Sequence, residues 1–133
     1  MPEKETIRRA RQDAAQGKSP STQAGEFVRE EIHHVREGKH GARSPKQAIA
    51  IGLSKARRAG VKLPAPGRGK TSAGTRRRAK RDLARGRRSK ARRPSARRSR
   101  AVKGALRREP RRSASRRALS RQARSAARRR GRK

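Results

Sequence analysis

The chain has 133 residues and carries 44 Lys or Arg against 9 Asp or Glu, a formal net charge of +35. It has no Cys, Trp or Tyr and a single Phe, which excludes disulfides and thiolate metal sites and argues against reading of bases by stacking on aromatic rings. No apolar run approaches the ~20 residues of a membrane span, and the N-terminus lacks a signal-peptide core. We therefore expect a soluble, cytoplasmic protein.

The first predicted helix covers about residues 3–16 and belongs to a small helical unit predicted for residues 1–66. Glu3 and Glu5 lie in its first turn, where carboxylates suit the helix dipole, and Gly17 ends it. Its apolar residues are mostly Ala, so we expect this helix to be marginal.

The second predicted helix covers about residues 20–37 and follows Ser19, a residue type that caps helix N-termini. The acidic residues Glu26, Glu30 and Glu37 are predicted on its solvated side. Its larger apolar residues and one Ala recur at three- and four-residue spacing. They form one stripe, which consists of Ala24, Phe27, Val28, Ile32 and Val35.

The third predicted helix covers about residues 45–59 and follows a short basic loop. Ser44 and Gln47 match the capping-box pattern, and Gly60 suits the position after a helix C-terminus. Because the connecting loop is short, we predict that the second and third helices pair as a helical hairpin.

The remaining residues, 67–133, form a basic tail that holds 30 Lys or Arg and two acids, Asp82 and Glu109. Like charges gain nothing from being packed together, so we expect repulsion to keep the free tail largely unfolded. Bound phosphates would remove that repulsion and let the tail fold. The predicted fold class is therefore mostly α: a helical hairpin or three-helix N-terminal unit, followed by a long basic tail that is disordered or conditionally helical.

Three segments of the tail are candidates for such conditional helices, because Ala and Arg are good helix formers. A short basic helix is predicted over residues 75–85. Two more, over about 95–109 and 111–130, are marked off by Pro94 and Pro110.

Nucleic-acid binding explains the charge of the tail, since each bound cation displaces counterions condensed on a phosphate backbone. Arg in particular makes bidentate contacts with phosphate. The candidate contacts in the tail are Arg68, Lys70, Arg76, Arg77, Arg78, Lys80, Arg81, Arg85, Arg87, Arg88, Lys90, Arg92, Arg93, Arg97, Arg98, Arg116, Arg117, Arg128, Arg129 and Arg130. The auxiliary candidates in the hairpin are Lys39, Arg43, Arg57 and Arg58.

The three histidines are the only other residues that suggest a site. His33 and Glu37 have a helical spacing that can hold a metal ion, but the adjacent His34 points to a different face. We expect surface or interface histidines, no metal and no cofactor. No arrangement of Ser, His and Asp predicts catalysis, so we do not expect an enzyme.

Three segments resemble a small bacterial family of basic proteins that are labelled DNA-binding or of unknown function. They are residues 17–32 (GKSPSTQAGEFVREEI), 38–44 (GKHGARS) and 47–61 (QAIAIGLSKARRAGV). The resemblance extends over about residues 1–85. The tail resembles histone-like and protamine-like tails in composition only. The resemblance implies a bacterial, nucleoid-associated protein.

The sequence thus predicts a non-enzymatic, largely sequence-independent DNA-binding protein of the nucleoid that acts by neutralising phosphate charge. Self-association through the apolar faces of residues 24–35 and 48–56 is predicted as well. Two alternatives stay open. One is an RNA-binding or ribosome-associated protein, and the other is a protein-interaction hairpin whose tail anchors it to nucleic acid.

Overall fold

The computed structural model of the protein describes residues 2–87 and 95–131. The described residues are mostly helical, which confirms the prediction of a mainly α protein. The helices are α1 (Lys4–Ala15), α2 (Pro20–Glu37), α3 (Pro45–Arg58), α4 (Ala73–Gly86), α5 (Ala96–Arg107) and α6 (Arg116–Gly131), and a 3-10 turn, Arg112–Ala114, precedes α6.

The prediction that the basic tail is disordered or only conditionally helical is wrong, because the described part of the tail forms helices α4, α5 and α6. Each of these helices begins with a capping serine. The hydroxyls of Ser72, Ser95 and Ser115 accept hydrogen bonds from backbone N–H groups three residues later, at 3.2, 3.2 and 3.1 Å. Caps of this kind stabilise a helix by about 1 kcal/mol each, and Ala and Arg add high helix propensity. These terms act against the repulsion between the arginines, and α4 also buries Ala79.

The contacts of the chain divide it into two units. Unit 1 consists of Met1–Glu30 and Ile51–Arg93, and unit 2 consists of Glu31–Ala50 and Pro94–Lys133. Both units therefore combine residues of the predicted hairpin with residues of the basic tail.

The core of unit 1 is small and built largely from alanine. Its buried residues are Ala10, Ala24, Phe27, Ala56 and Val61, against which Ile7, Leu53 and Leu63 pack. Helices α2 and α3 approach closely at Gly52, where a Cβ atom would lie 2.6 Å from the Cα of Val28. Small residues in α3 therefore permit the close approach that a helical hairpin needs.

Helix α1 is fixed to α2 by a buried carboxylate. Oε1 of Glu30 accepts hydrogen bonds from the backbone N–H of Glu3 at 2.5 Å and from the hydroxyl of Thr6 at 3.1 Å. Glu30 is only 5% exposed, so its predicted place on a solvated face is wrong. This contact compensates for the scarcity of large apolar residues in α1.

Helix α4 packs in unit 1 through its Ala79 side, which is 4% exposed. Oδ2 of Asp82 accepts a hydrogen bond from the Ser54 hydroxyl at 2.7 Å. At the end of α4, Gly86 approaches so closely that a Cβ atom there would overlap the carbonyl oxygen of Arg57. A glycine and an acid thus let an arginine-rich helix join the fold.

Unit 2 brings part of the tail against the loop between α2 and α3. Backbone N–H groups of Gly41 and Ala42 donate hydrogen bonds to the carbonyl oxygens of Leu106 and Pro110, at 2.7 and 3.0 Å. A Cβ atom at position 41 would overlap the carbonyl oxygen of Glu109, so only glycine fits there. The core of this unit consists of Val35, Ala42, Ala48 and Ala114, with Ile32 packed against it.

Two arginines fasten the segment before α6. Nε of Arg36 donates a hydrogen bond to the carbonyl oxygen of Ala114 at 2.9 Å. The guanidinium of Arg111 in turn donates to the carbonyl oxygen of Arg36. Ala114 is 1% exposed, so this part of the basic tail belongs to a folded core.

The apolar faces that predicted self-association are largely covered within one chain. Ala24, Phe27 and Ala56 lie in the core of unit 1, and Val35 and Ala48 lie in the core of unit 2. Self-association stays a prediction, but these side chains are buried within one chain and are not available to contact a second copy.

Candidate nucleic-acid interface

Helix α4 presents arginines to solvent along one side. Arg77, Arg81 and Arg85 follow one another at four-residue spacing, which places them on one face, and all three are exposed. Their face lies away from the buried Ala79 and the half-buried Leu83. Of the other sequence-predicted contacts in α4, Arg78 and Lys80 are exposed and Arg76 is half-buried.

Helix α6 carries a more regular row of arginines, which we call the α6 arginine stripe: Arg117, Arg121, Arg124 and Arg128. Their spacing of four, three and four residues keeps them on one face, and all four are exposed. The sequence interpretation selects Arg117 and Arg128 but misses Arg121 and Arg124, although the helical spacing identifies them. The opposite side of α6 is half-buried and consists of Ala118, Leu119, Gln122 and Ala126.

The remaining basic residues of unit 2 add to the same charge. Arg97 and Arg98 lie exposed in the first turn of α5. Three exposed residues that the sequence interpretation does not select share a face of α5, namely Arg100, Lys103 and Arg107. Exposed arginines also flank the α6 stripe, and they are Arg116, Arg129 and Arg130.

The arginines of α5 and α6 have no carboxylate partners in the part of the chain that the structure describes. The ion pairs found among these residues all involve positions up to Asp82. From residue 95 onward, Glu109 is the only acid in the sequence. The described residues therefore leave the positive charge of these two helices without a carboxylate counterpart.

Arg57 differs from the other predicted contacts because it is buried. It is 8% exposed, and its guanidinium donates hydrogen bonds to the carbonyl oxygens of Leu63 at 3.2 Å and Pro64 at 3.0 Å. Burial lowers the pKa of Arg57, while the nearby Asp82 opposes that shift. The side chain thus holds the segment after α3 in place, which makes it a structural residue.

The other auxiliary candidates are exposed. Nε of Arg58 lies 4.0 Å from Oδ1 of Asp82. Nζ of Lys39 lies 3.5 Å from Oε2 of Glu37, and Arg43 is exposed. The structure therefore leaves surface cations around the hairpin, and two of them, Lys39 and Arg58, have a carboxylate within ion-pairing distance.

Arg68 and Lys70 lie exposed in a turn between α3 and α4, where Gly69 has a φ of 80°. Arg87 is exposed directly after α4. Four predicted contacts, Arg88, Lys90, Arg92 and Arg93, lie outside the described residues.

The histidines occupy two different environments. His33 is exposed, and its Nδ1 lies 3.8 Å from Oε1 of Glu37, as the helical spacing predicts. His34 and His40 instead lie beside the buried Glu31, and the three residues offer metal-binding atoms that lie within 4.8 Å of one another. Helical spacing relates Glu31 to His34 but gives no signal for His40, which joins the group from the loop after α2.

Comparison with known protein families finds a match to a "Family of unknown function (DUF6496)" over residues 17–66. These residues include α2 and α3, and the arginine-rich helices lie outside the match. No curated protein and no solved structure matches the chain. Among the described helices, none is long and apolar enough to cross a membrane.

Proposed function

We propose that the protein is a non-enzymatic DNA-binding protein that contacts duplex phosphates through the exposed arginines of α4, α5 and α6. The observation that carries this proposal is the α6 arginine stripe, four exposed arginines on one helix face with no carboxylate partner among the described residues. Guanidinium groups bind phosphate in bidentate geometry, and each contact releases condensed counterions.

The stripe is a better phosphate-binding element than an unfolded basic tail would be. Its ends, Arg117 and Arg128, are separated by about 16 Å of helix at 1.5 Å per residue. Over that length B-DNA carries roughly ten phosphates, so each arginine of the stripe has a phosphate within reach. Because the helix already exists, less conformational entropy is lost on binding.

Repulsion within the stripe also favours a bound anion. Like charges at four-residue spacing destabilise a helix by a few tenths of a kcal/mol per pair. Bound phosphates would cancel this repulsion, so DNA should stabilise α6 as well as bind it.

Duplex DNA is favoured over duplex RNA because the B-form major groove admits an α-helix, whereas the A-form major groove is deep and narrow. Nucleoid association in a bacterial cytoplasm would follow from such binding.

The test is a titration of a labelled DNA duplex with full-length protein at several salt concentrations. A variant with Arg117, Arg121, Arg124 and Arg128 changed to Ala should bind more weakly. The slope of log affinity against log salt should become shallower by about 3 to 4, since each phosphate contact contributes ~0.9. Duplex RNA and single strands of the same sequence serve as competitors.

The matched control removes four charges from α1 through Lys4→Ala, Arg8→Ala, Arg9→Ala and Arg11→Ala. Arg8 and Arg9 form ion pairs with Glu5, so these cations are less available to phosphate. The control should retain most of the affinity and most of the slope. Equal losses in both variants would mean that net charge alone governs binding and that the stripe has no special role. Preference for the RNA duplex would reject the DNA assignment.

A further inference from the structure

The structure assigns a divalent transition-metal site to Glu31, His34 and His40 in unit 2, for an ion such as Zn²⁺ that accepts two imidazoles and one carboxylate. The Glu31 side chain is 0% exposed, and those of His34 and His40 are 13% and 14% exposed. One ligand atom from each residue lies within 4.8 Å of the other two. This site uses none of the arginines of α4, α5 and α6, and the assignment does not rest on the proposed DNA binding.

The distances match what a metal ion would need. With Zn–N and Zn–O bonds of about 2.0–2.1 Å, tetrahedral geometry separates two ligand atoms by roughly 3.3 Å. Nε2 of His40 lies 3.0 Å from Oε2 of Glu31, and Nδ1 of His34 lies 3.9 Å from Oε1 of the same carboxylate. Small side-chain movements would therefore bring all three groups onto one ion, with a water completing the shell.

The hydrogen bonds of His40 hold its ring in an orientation that suits a metal ligand. Its Nδ1 lies 2.9 Å from the carbonyl oxygen of Gly41, while its Nε2 faces the Glu31 carboxylate. A neutral imidazole has one N–H and cannot donate to both oxygens. A protonated ring donates to both oxygens, and a metal at Nε2 in place of that proton leaves Nδ1–H to donate to the Gly41 carbonyl. Metal-bound histidines commonly donate their second N–H to a backbone carbonyl in this way, which fixes the ring.

The position of the site gives it a structural role. His40 belongs to the loop whose next two residues, Gly41 and Ala42, donate backbone hydrogen bonds to Leu106 and Pro110 of the tail. An ion that joins this loop to α2 would fix both donors. We therefore expect metal binding to strengthen the attachment of the segment that leads into α6.

The experiment uses full-length protein freed of nucleic acid at high salt, because phosphates also bind zinc. Zinc binding is measured by competition with a chromogenic chelator. Wild-type protein should bind one zinc per chain. His34→Ala, His40→Ala and Glu31→Gln should each weaken binding at least tenfold. The matched control, His33→Ala, changes the exposed histidine next in sequence and should bind like wild type.

X-ray absorption of the wild-type zinc complex provides a readout that does not depend on how well the variants fold. It should show two imidazole ligands. Zinc should also raise the midpoint of thermal unfolding of wild type and His33→Ala but not of Glu31→Gln. Absence of zinc uptake, fewer than two imidazoles, or equal uptake by His33→Ala and His40→Ala would overturn the assignment and leave an ordinary His40–Glu31 ion pair.

Discussion

Helices α4 and α6 are both rich in Arg and Ala but are built into the protein in different ways. α4 buries Ala79, accepts a hydrogen bond from Ser54 through Asp82, and ends at a tightly packed Gly86. α6 has no acid, its inner side is only half-buried, and a Cβ atom added at its last residue, Gly131, would meet nothing within 4 Å. An acid and a packed glycine thus fix α4 within unit 1, and α6 lacks both.

The largest expected difference between the two helices is in DNA affinity. Changing Arg117, Arg121 and Arg128 to Ala in α6 should reduce affinity about a thousandfold or more at low salt, since charge-assisted contacts contribute about 1.5–3 kcal/mol each. The same change at Arg77, Arg81 and Arg85 of α4 should reduce DNA affinity by a smaller factor. Fluorescence anisotropy with one duplex measures both. A greater loss from the α4 variant would reverse the assignment of the two helices.

The next largest difference concerns the glycines that end the two helices. Gly86→Ala makes a Cβ atom overlap the carbonyl oxygen of Arg57, so the backbone must shift. We expect the free energy of unfolding to fall by about 2–3 kcal/mol. Gly131→Ala meets no atom and should leave stability unchanged or slightly raised. Urea unfolding followed by circular dichroism tests the pair, and equal effects would mean that α4 is not packed as described.

A smaller effect is expected from the acid in α4. Asp82→Asn keeps the size of the side chain but removes the charge that faces Arg58 and the favourable field at the buried Arg57. The free energy of unfolding should fall by about 1 kcal/mol, because the hydrogen bond to Ser54 becomes neutral. Ser54→Ala in the same background should add little further loss, which a double-mutant cycle measures. Additive losses would show that the two side chains do not interact.

The smallest expected effect comes from giving α6 the acid that it lacks. Ser125→Glu, at an exposed position, places a carboxylate four residues after Arg121 and three before Arg128. Each ion pair should stabilise the free helix by about 0.3–0.5 kcal/mol. The same carboxylate competes with phosphate, so DNA affinity should fall several-fold while helicity rises. Ser125→Gln is the uncharged control. Tighter DNA binding by Ser125→Glu would contradict the proposal that the α6 arginine stripe binds phosphate.

Local sequence signals predict the elements of the first half well. Ser19, Ser44 and Gly60 mark helix ends, and the observed bounds of α1, α2 and α3 lie within about one residue of those predicted. The tail also carries such signals, since the capping serines Ser95 and Ser115 precede α5 and α6. A prediction that gives charge repulsion more weight than these serines underestimates how much of the tail is helical. Counting charges does not register the stability that a capping serine and the helix propensity of Ala and Arg give to a helix.

Contacts between distant residues could not be predicted from spacing. Arg36 and Ala114 are 78 positions apart, and His40 reaches Glu31 only because of the path of the loop. The helical pattern does not predict the burial of Glu30, because it assigns a carboxylate beside the apolar stripe to solvent. The partners of Glu30 are Thr6 in α1 and Glu3 directly before α1. No local sequence pattern links these two residues to Glu30.

The alanine-built cores have a thermodynamic consequence. Half or more of the buried apolar residues in each core are Ala, namely Ala10, Ala24 and Ala56 in unit 1 and Ala42, Ala48 and Ala114 in unit 2. Unfolding therefore exposes little apolar surface, and the heat-capacity change that accompanies it should be small. A small heat-capacity change flattens the dependence of stability on temperature. Ionic strength, which screens the arginines, should then alter the folded population more than moderate warming or cooling does.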